Sequence, residues 1–169
     1  MTLAALNGLP AAEAEQAFSR CCGSRRWAAL MAGGRPYVDE LQLLKAAQAH
    51  WNGLGREDWL EAFARHPRIG DKAALRAKLA SSWAAGEQAG ARSAPEETLD
   101  ALAEGNAAYE RRFGHVFLIC ATGKSAEEML AALRRRLESS PAAELQAAAG
   151  EQAKITELRL KKLLSPEAS

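Results

Sequence analysis

No apolar run in this chain of 169 residues approaches the roughly 20 positions that a helix needs to cross a bilayer. A dominant charge is missing too: Lys and Arg total 22, Asp and Glu total 21, and the formal net charge is +1. That balance offers no electrostatic case for nucleic acid or an anionic membrane as a partner. Cysteine is scarce. Cys21, Cys22 and Cys120 make an odd count without metal-ligand spacing, and adjacent cysteines rarely close a relaxed disulfide. Reduced thiols of a cytosolic protein are expected, rather than a redox pair. His50, His66 and His115 are scattered without the spacing of a zinc site, so no metal is expected. At the N-terminus no basic segment precedes an apolar one, and Glu13 and Glu15 interrupt the alanine-rich opening. Pro166-Glu167-Ala168-Ser169 is neither an anchor nor a peroxisomal address. These absences predict a soluble cytoplasmic protein, one domain over residues 1–169, long enough to bury its own core.

Strand-like alternation is almost absent as well, whereas alanine, leucine, glutamate, arginine and lysine dominate. The mix predicts helix throughout, an all-α fold. Pro10 can open a helix through Cys22 with Phe18 inward, and a short helix from Arg25 to Met31 stops at Gly33-Gly34. Asp39 can cap a helix whose Leu41, Leu44, Gln48 and Trp51 follow helical spacing, and Gly53 and Gly55 end it. Arg56 to Ala64 forms another turn or two, with Trp59 and Phe63 on one face. After a His66-Pro67 turn, Asp71 can cap a helix carrying Leu75 and Leu79 that breaks near Ser81-Ser82. Pro95 opens the next helix, with an inward stripe of Leu99, Leu102, Asn106, Tyr109 and Phe113 that Gly114 ends. Asn106 on that stripe needs a partner. Phe117-Leu118-Ile119-Cys120-Ala121 is a buried apolar run too short to classify by periodicity. Ser125 and Glu128 form a capping box for a helix carrying Met129, Leu130, Leu133 and Leu137. Ser139-Ser140-Pro141 breaks it, and a last helix runs from about Ala142 to Leu164.

Chemistry is harder to locate. Gly123-Lys124-Ser125 looks like the end of a phosphate-binding loop, but Leu118 stands where that loop requires its first glycine. No G-x-S-x-G marks a serine nucleophile. His66 can change charge near neutral pH, and Pro67 stiffens the backbone that aims it, pushing His66 to a helix end. A surface turn that happens to hold a histidine is the simpler reading of that pair alone. Glu87-Gln88 lies between Gly86 and Gly90, which allow the close backbone approach a ligand needs, although a solvated acidic loop fits equally. Arg159, at the margin of an inward stripe, can simply snorkel.

Taken together these pieces resemble a family, the 2-oxo-4-hydroxy-4-carboxy-5-ureidoimidazoline (OHCU) decarboxylases, which complete the conversion of urate to (S)-allantoin. The resemblance covers roughly Leu6 to Leu164. It is carried in order by Leu6-Asn7, Arg35-Pro36-Tyr37, His66-Pro67-Arg68-Ile69-Gly70, Gly86-Glu87-Gln88-Ala89-Gly90 and Asn106 through Tyr109. Arg112-Phe113-Gly114, Phe117 to Ala121, Gly123-Lys124-Ser125, Lys154-Ile155 and Leu158-Arg159-Leu160 continue it.

By position, the resemblance implies a multi-helix bundle of the family's type in which His66 is the catalytic histidine and Glu87 its partnering carboxylate. Pro67 would touch the substrate ring, and Gln88 would donate to and accept from the ring or ureido group. Phe117, Ile119, Cys120 and Ala121 would line the substrate, and Arg159 would clamp an anionic or carbonyl oxygen. It also implies a homodimer and no cofactor, because the ring C=N beside the reacting carbon can take the electrons itself. Ala84 departs from the family, where serine is common, so a hydroxyl contact is lost or comes from Ser81, Ser82 or a water. His115 stands where relatives commonly carry an apolar aromatic, and receives no catalytic role. Two other readings stay open: an inactive helical binding module of the same fold, and an enzyme acting on a related ureido-imidazolone.

Overall fold

Helix starts are written into the sequence as side chains that accept an otherwise unpaired N–H. Thr2, Ser24, Asp39 and Ser125 each accept the backbone N–H three residues ahead. In the computed structural model, which describes residues 1–66 and 96–165, these caps open four of eight helices. The helices are α1 (Leu3–Gly8), α2 (Ala11–Ser19), α3 (Arg25–Gly33), α4 (Glu40–Asn52), α5 (Arg56–Ala64), α6 (Glu96–Phe113), α7 (Ala126–Leu137) and α8 (Pro141–Leu163). No strand occurs among the described residues, so the fold is all-α as the composition predicts. Nor is any helix there long and apolar enough to cross a membrane. The expected Asp71 cap, the Leu75–Leu79 helix, the Ser81-Ser82 break and the Pro95 start lie outside the described residues.

The chain divides into two units, Met1–Arg65 with Ala149–Ser169, and His66–Ala148. The first is built on indoles. Phe18 of α2 meets Trp27 of α3 edge-on, with ring centroids 6.0 Å apart. Trp27 Nε1 donates to the Ala47 carbonyl at 3.1 Å, and Trp51 Nε1 to the Ala149 carbonyl at 2.9 Å. Each buried ring therefore keeps its one polar atom paired, as burial demands. These two bonds set the register of α4. Its buried residues are Leu43, Ala47 and Trp51, so of the regularly spaced Leu41, Leu44, Gln48 and Trp51 only Trp51 is buried. Leu41 is 60% exposed, Gln48 is exposed and Leu44 is half-buried. Spacing alone admits either stripe, and the indole bonds at Ala47 and Trp51 select one.

Leu6-Asn7 and Arg35-Pro36-Tyr37 form one clamp. The Asn7 side chain pairs with the Tyr37 backbone in both directions at 2.9 Å, and the Arg35 guanidinium donates to the carbonyls of Leu6, Asn7 and Leu9. Those carbonyls close α1, which the sequence did not reveal. The helix expected from Pro10 through Cys22 stops at Ser19, where the N–H groups of Cys21 and Cys22 both turn back to the Phe18 carbonyl.

In the second unit, Leu99, Leu102 and Tyr109 of α6 pack with Phe117 and with Ala126, Met129 and Leu133 of α7. Asn106 finds its partner in its own helix, donating to the Leu102 carbonyl at 2.7 Å. Gly114 takes φ 79° after α6, a left-handed conformation that favours glycine. Gly105 marks the close approach of α6 and α7, because a Cβ there would stand 2.5 Å from Leu133 Cδ2. Gly150, within α8, would meet nothing within 4 Å. Alanine is favoured over glycine inside a helix by about 1 kcal/mol. Gly150→Ala should therefore stabilise by that amount, while Gly105→Ala should destabilise by about 1–3 kcal/mol through overpacking against the buried Leu133. Urea midpoints that move in the same direction would contradict the account.

Candidate active site

His66 follows the end of α5 by two residues and is half-buried. The α5 segment is fixed by its neighbours in the first unit. Glu61 accepts from the Arg25 backbone N–H at 2.7 Å and from Arg25 Nε at 2.9 Å. The backbone bond first, and the guanidinium with it, hold the Glu61 carboxyl below the ordinary carboxylate range. Gly23 presses on the α5 terminus, since a Cβ there would meet the Arg65 side chain and lie 3.5 Å from Ala62 Cα. The chain thus enters His66 from a braced helix end. Pro67, Glu87 and Gln88, along with Ala84, lie outside the described residues.

Arg159 lies on α8. Its Nη1 donates to the Cys21 carbonyl at 3.5 Å while the residue as a whole is exposed. The turn from Cys21 to Ser24 therefore touches both Arg159 and the residue preceding His66. Burial pushes the Cys21 thiol up from 9.0 to about 11, against the lowering effect of Arg159, and burial also raises Cys22. Cys21, Cys22 and Cys120 are buried, and none of them is in a disulfide. A thiol reagent at pH 8 should label all three about a hundredfold or more slowly in the native protein than in denaturant, because labelling must await local opening. Fast labelling of Cys21 would contradict its burial. The unfolded chain ionises Cys21 first, so that thiol's contribution to stability is whole below pH 9.0 and fades as the pH climbs to about 11.

Phe117, Ile119, Cys120 and Ala121 come together in one irregular segment of the second unit, neither helix nor strand. Phe117, Leu118 and Cys120 are buried, while Ile119 and Ala121 are half-buried. Cations hold two carbonyls of this run. Lys124 Nζ donates to the Cys120 carbonyl at 3.0 Å, and Arg136 Nη1 donates to the Leu118 carbonyl. Gly123-Lys124-Ser125 is thus engaged with the protein itself, because Ser125 caps α7.

Arg136 belongs to a network the sequence did not announce. Its Nε donates to Glu144 Oε1 at 2.6 Å, and the Tyr109 hydroxyl donates to the same oxygen. The guanidinium also lies over the Phe117 ring, 4.6 Å from its centroid. Glu144 is fully buried, and with burial its acceptor keeps the Tyr109 phenol above the usual range. The available signal was positional: Glu144, Gln152 and Thr156, eight and four residues apart, sit on the buried face of α8, where apolar residues are the rule. His115 acts as an aromatic, its ring stacked 6.3 Å from Phe113 and edge-on to Tyr109 at 5.5 Å. Among the described residues no cluster of His, Cys, Asp and Glu could hold a metal ion.

Comparison with known proteins places this geometry. The family model for OHCU decarboxylase matches residues 7–161. The uric acid degradation bifunctional protein TTL of Arabidopsis thaliana is 37% identical over 156 residues, which are 91% of this chain and 48% of that protein. The chain therefore spans about half the length of that relative. The 2-oxo-4-hydroxy-4-carboxy-5-ureidoimidazoline decarboxylase of Haloferax volcanii is 27% identical over 168 residues, covering 99% of this chain and 98% of that protein. A crystal structure of OHCU decarboxylase in the presence of (S)-allantoin superposes with a TM-score of 0.72 at 36% identity, over 87% of this chain and 96% of that one. The family match begins at Asn7, in the clamp with Tyr37, and ends two residues beyond Arg159: the chain belongs to the OHCU decarboxylase family.

Proposed function

We propose that this chain decarboxylates 2-oxo-4-hydroxy-4-carboxy-5-ureidoimidazoline to (S)-allantoin, without a cofactor, in urate degradation. The observation that carries the reading is the family match over residues 7–161, supported by a structural match to an OHCU decarboxylase crystallised with (S)-allantoin. The chain is a carboxy-lyase acting as one domain. It works in the cytoplasm as a homodimer, a state supported by the family resemblance and by exposed apolar side chains such as Val38 and Leu41.

The chemistry asks little of a protein beyond placement and protons. Breaking the bond to the carboxylate releases CO2 and leaves an electron pair on the ring carbon. The neighbouring ring C=N accepts that pair: a C=C forms between the two ring carbons and the ring nitrogen takes a proton, giving an enol. The enol hydroxyl then gives up its proton as the carbonyl forms and the ureido-bearing carbon takes one, so the net uptake per CO2 released is a single proton. His66 relays a proton from the hydroxyl or to the ring. Glu87 sets the imidazole tautomer and favours its charged form. Pro67 packs on the ring, Gln88 hydrogen-bonds the ring or ureido group, and Arg159 presents a planar fork to an anionic or carbonyl oxygen. Phe117, Ile119, Cys120 and Ala121 form the wall, with backbone groups for hydrogen bonds. Protonation from one face of a fixed ring yields one enantiomer.

The test is CO2 release from freshly generated substrate. The compound decays unaided, so the decisive quantity is the increment in rate per unit of protein. An increment proportional to protein concentration supports the decarboxylase. None with this substrate, but turnover of a related ureido-imidazolone, would redirect the specificity. Binding without turnover of either would make the chain an inactive module.

A further inference from the structure

We propose that Arg136 is a positioning residue: clamped between Glu144 and Phe117, it holds the Leu118 carbonyl and thereby sets the conformation of the 117–121 run that substrate meets. The inference rests on the function proposed above, in which that run is the substrate wall. The run has no helical or sheet ladder to fix its backbone. An apolar segment of that kind keeps one conformation only if outside groups fix its polar atoms. Arg136 does so from three sides at once. Its Nη1 donates to the Leu118 carbonyl, its Nε to Glu144 Oε1 at 2.6 Å, and its face covers Phe117 at 4.6 Å.

Glu144 is in turn fixed by the Tyr109 hydroxyl and is wholly buried, and the Arg136 side chain is only 14% exposed. A planar five-donor fork can serve carbonyl, carboxylate and ring together, whereas a lysine ammonium cannot reproduce that geometry. A stability role alone does not require this arrangement, since apolar replacement of a buried ion pair is often neutral or stabilising. What an apolar pair would lose is the grip on Leu118, one residue from Ile119 and two from Cys120.

Two variants separate positioning from folding: Arg136→Lys, and the double replacement Arg136→Met with Glu144→Leu, which leaves no buried charge unpaired. Each is examined by amide hydrogen exchange and by steady-state kinetics on fresh substrate. Exchange is expected to accelerate across residues 117–121 in both variants while the amides of α6 and α7 keep their protection. KM should rise about tenfold, with kcat changed less, as expected when aligned binding groups shift by a fraction of an ångström. Wild-type exchange at 117–121 and wild-type kinetics in a folded variant would overturn the inference and leave the proposed function intact. Faster exchange in the variants, with a wild-type protein that turns over no substrate, would instead sustain the positioning of the run and remove the proposed function. If the double variant does not fold, Arg136→Lys decides: unchanged exchange and KM reject the role, and selective change upholds it.

Discussion

His66→Asn should lower turnover by about a thousandfold, down to the uncatalysed decay of the substrate, with KM and fold nearly unchanged. A positioned acid or base contributes roughly 10²- to 10⁴-fold, and asparagine keeps a polar side chain of similar reach while having no proton to exchange near neutral pH. The residue is half-buried beyond the end of α5 and is not one of the buried core side chains. Asparagine keeps a hydrogen-bonding group there, so the change in unfolding free energy should stay within about 1 kcal/mol, the centre of the range for point substitutions. The helix that delivers it is secured elsewhere, by Glu61 against Arg25 and by the close approach of Gly23 to Arg65. Urea unfolding followed beside kinetics separates the two effects. Wild-type kcat in the folded variant would remove His66 from the mechanism.

The largest effect on stability should come from Glu144→Ala, with a loss of about 3–5 kcal/mol, the usual consequence of stripping one partner from a buried ion pair. Glu144 is fully buried, and the single oxygen Oε1 accepts from both the Tyr109 hydroxyl and Arg136 Nε. Alanine would leave a guanidinium that is 14% exposed without its counter-ion, and a buried phenol without its acceptor. Domains of this size are stable by only about 5–15 kcal/mol, so the urea midpoint should fall by a large fraction. Glu144→Gln should cost less, because an amide oxygen still accepts from Tyr109. Equal midpoints for Glu144→Ala and the wild type would mean that the network carries no stability.

Much of this architecture was legible in the chain because helix signals are local. The caps at Asp39 and Ser125 and the stop at Gly114 follow from chemistry within a few residues, and the structure places all three as the sequence predicts. The final helix, expected from about Ala142, begins at Pro141. Elements that depend on distant partners were illegible. Helix α1 spans 6 residues, under two turns at about 3.6 residues per turn, too few to show periodicity, and Arg35 closes it from well beyond the helix. Spacing alone does not fix the buried stripe of α4, because the indole N–H bonds that set its register involve carbonyls on α4 and α8. Glu144 reads in sequence as an ordinary acidic residue near a helix start, and only folding reveals Tyr109 and Arg136 around it. For the site, His66 and the Phe117–Ala121 run were singled out by local features, but their roles came from resemblance. Nothing local marked Arg136 as the residue that holds the run.

The handedness of the product distinguishes a working decarboxylase from an inactive fold. Uricase and the hydrolase of the preceding step convert urate to fresh substrate, this protein is added, and ellipticity is followed as allantoin forms. The (S) enantiomer should appear rapidly, at a rate proportional to protein, and this should be lost in His66→Asn. A slow racemic product, identical with and without the protein, would contradict the proposed function.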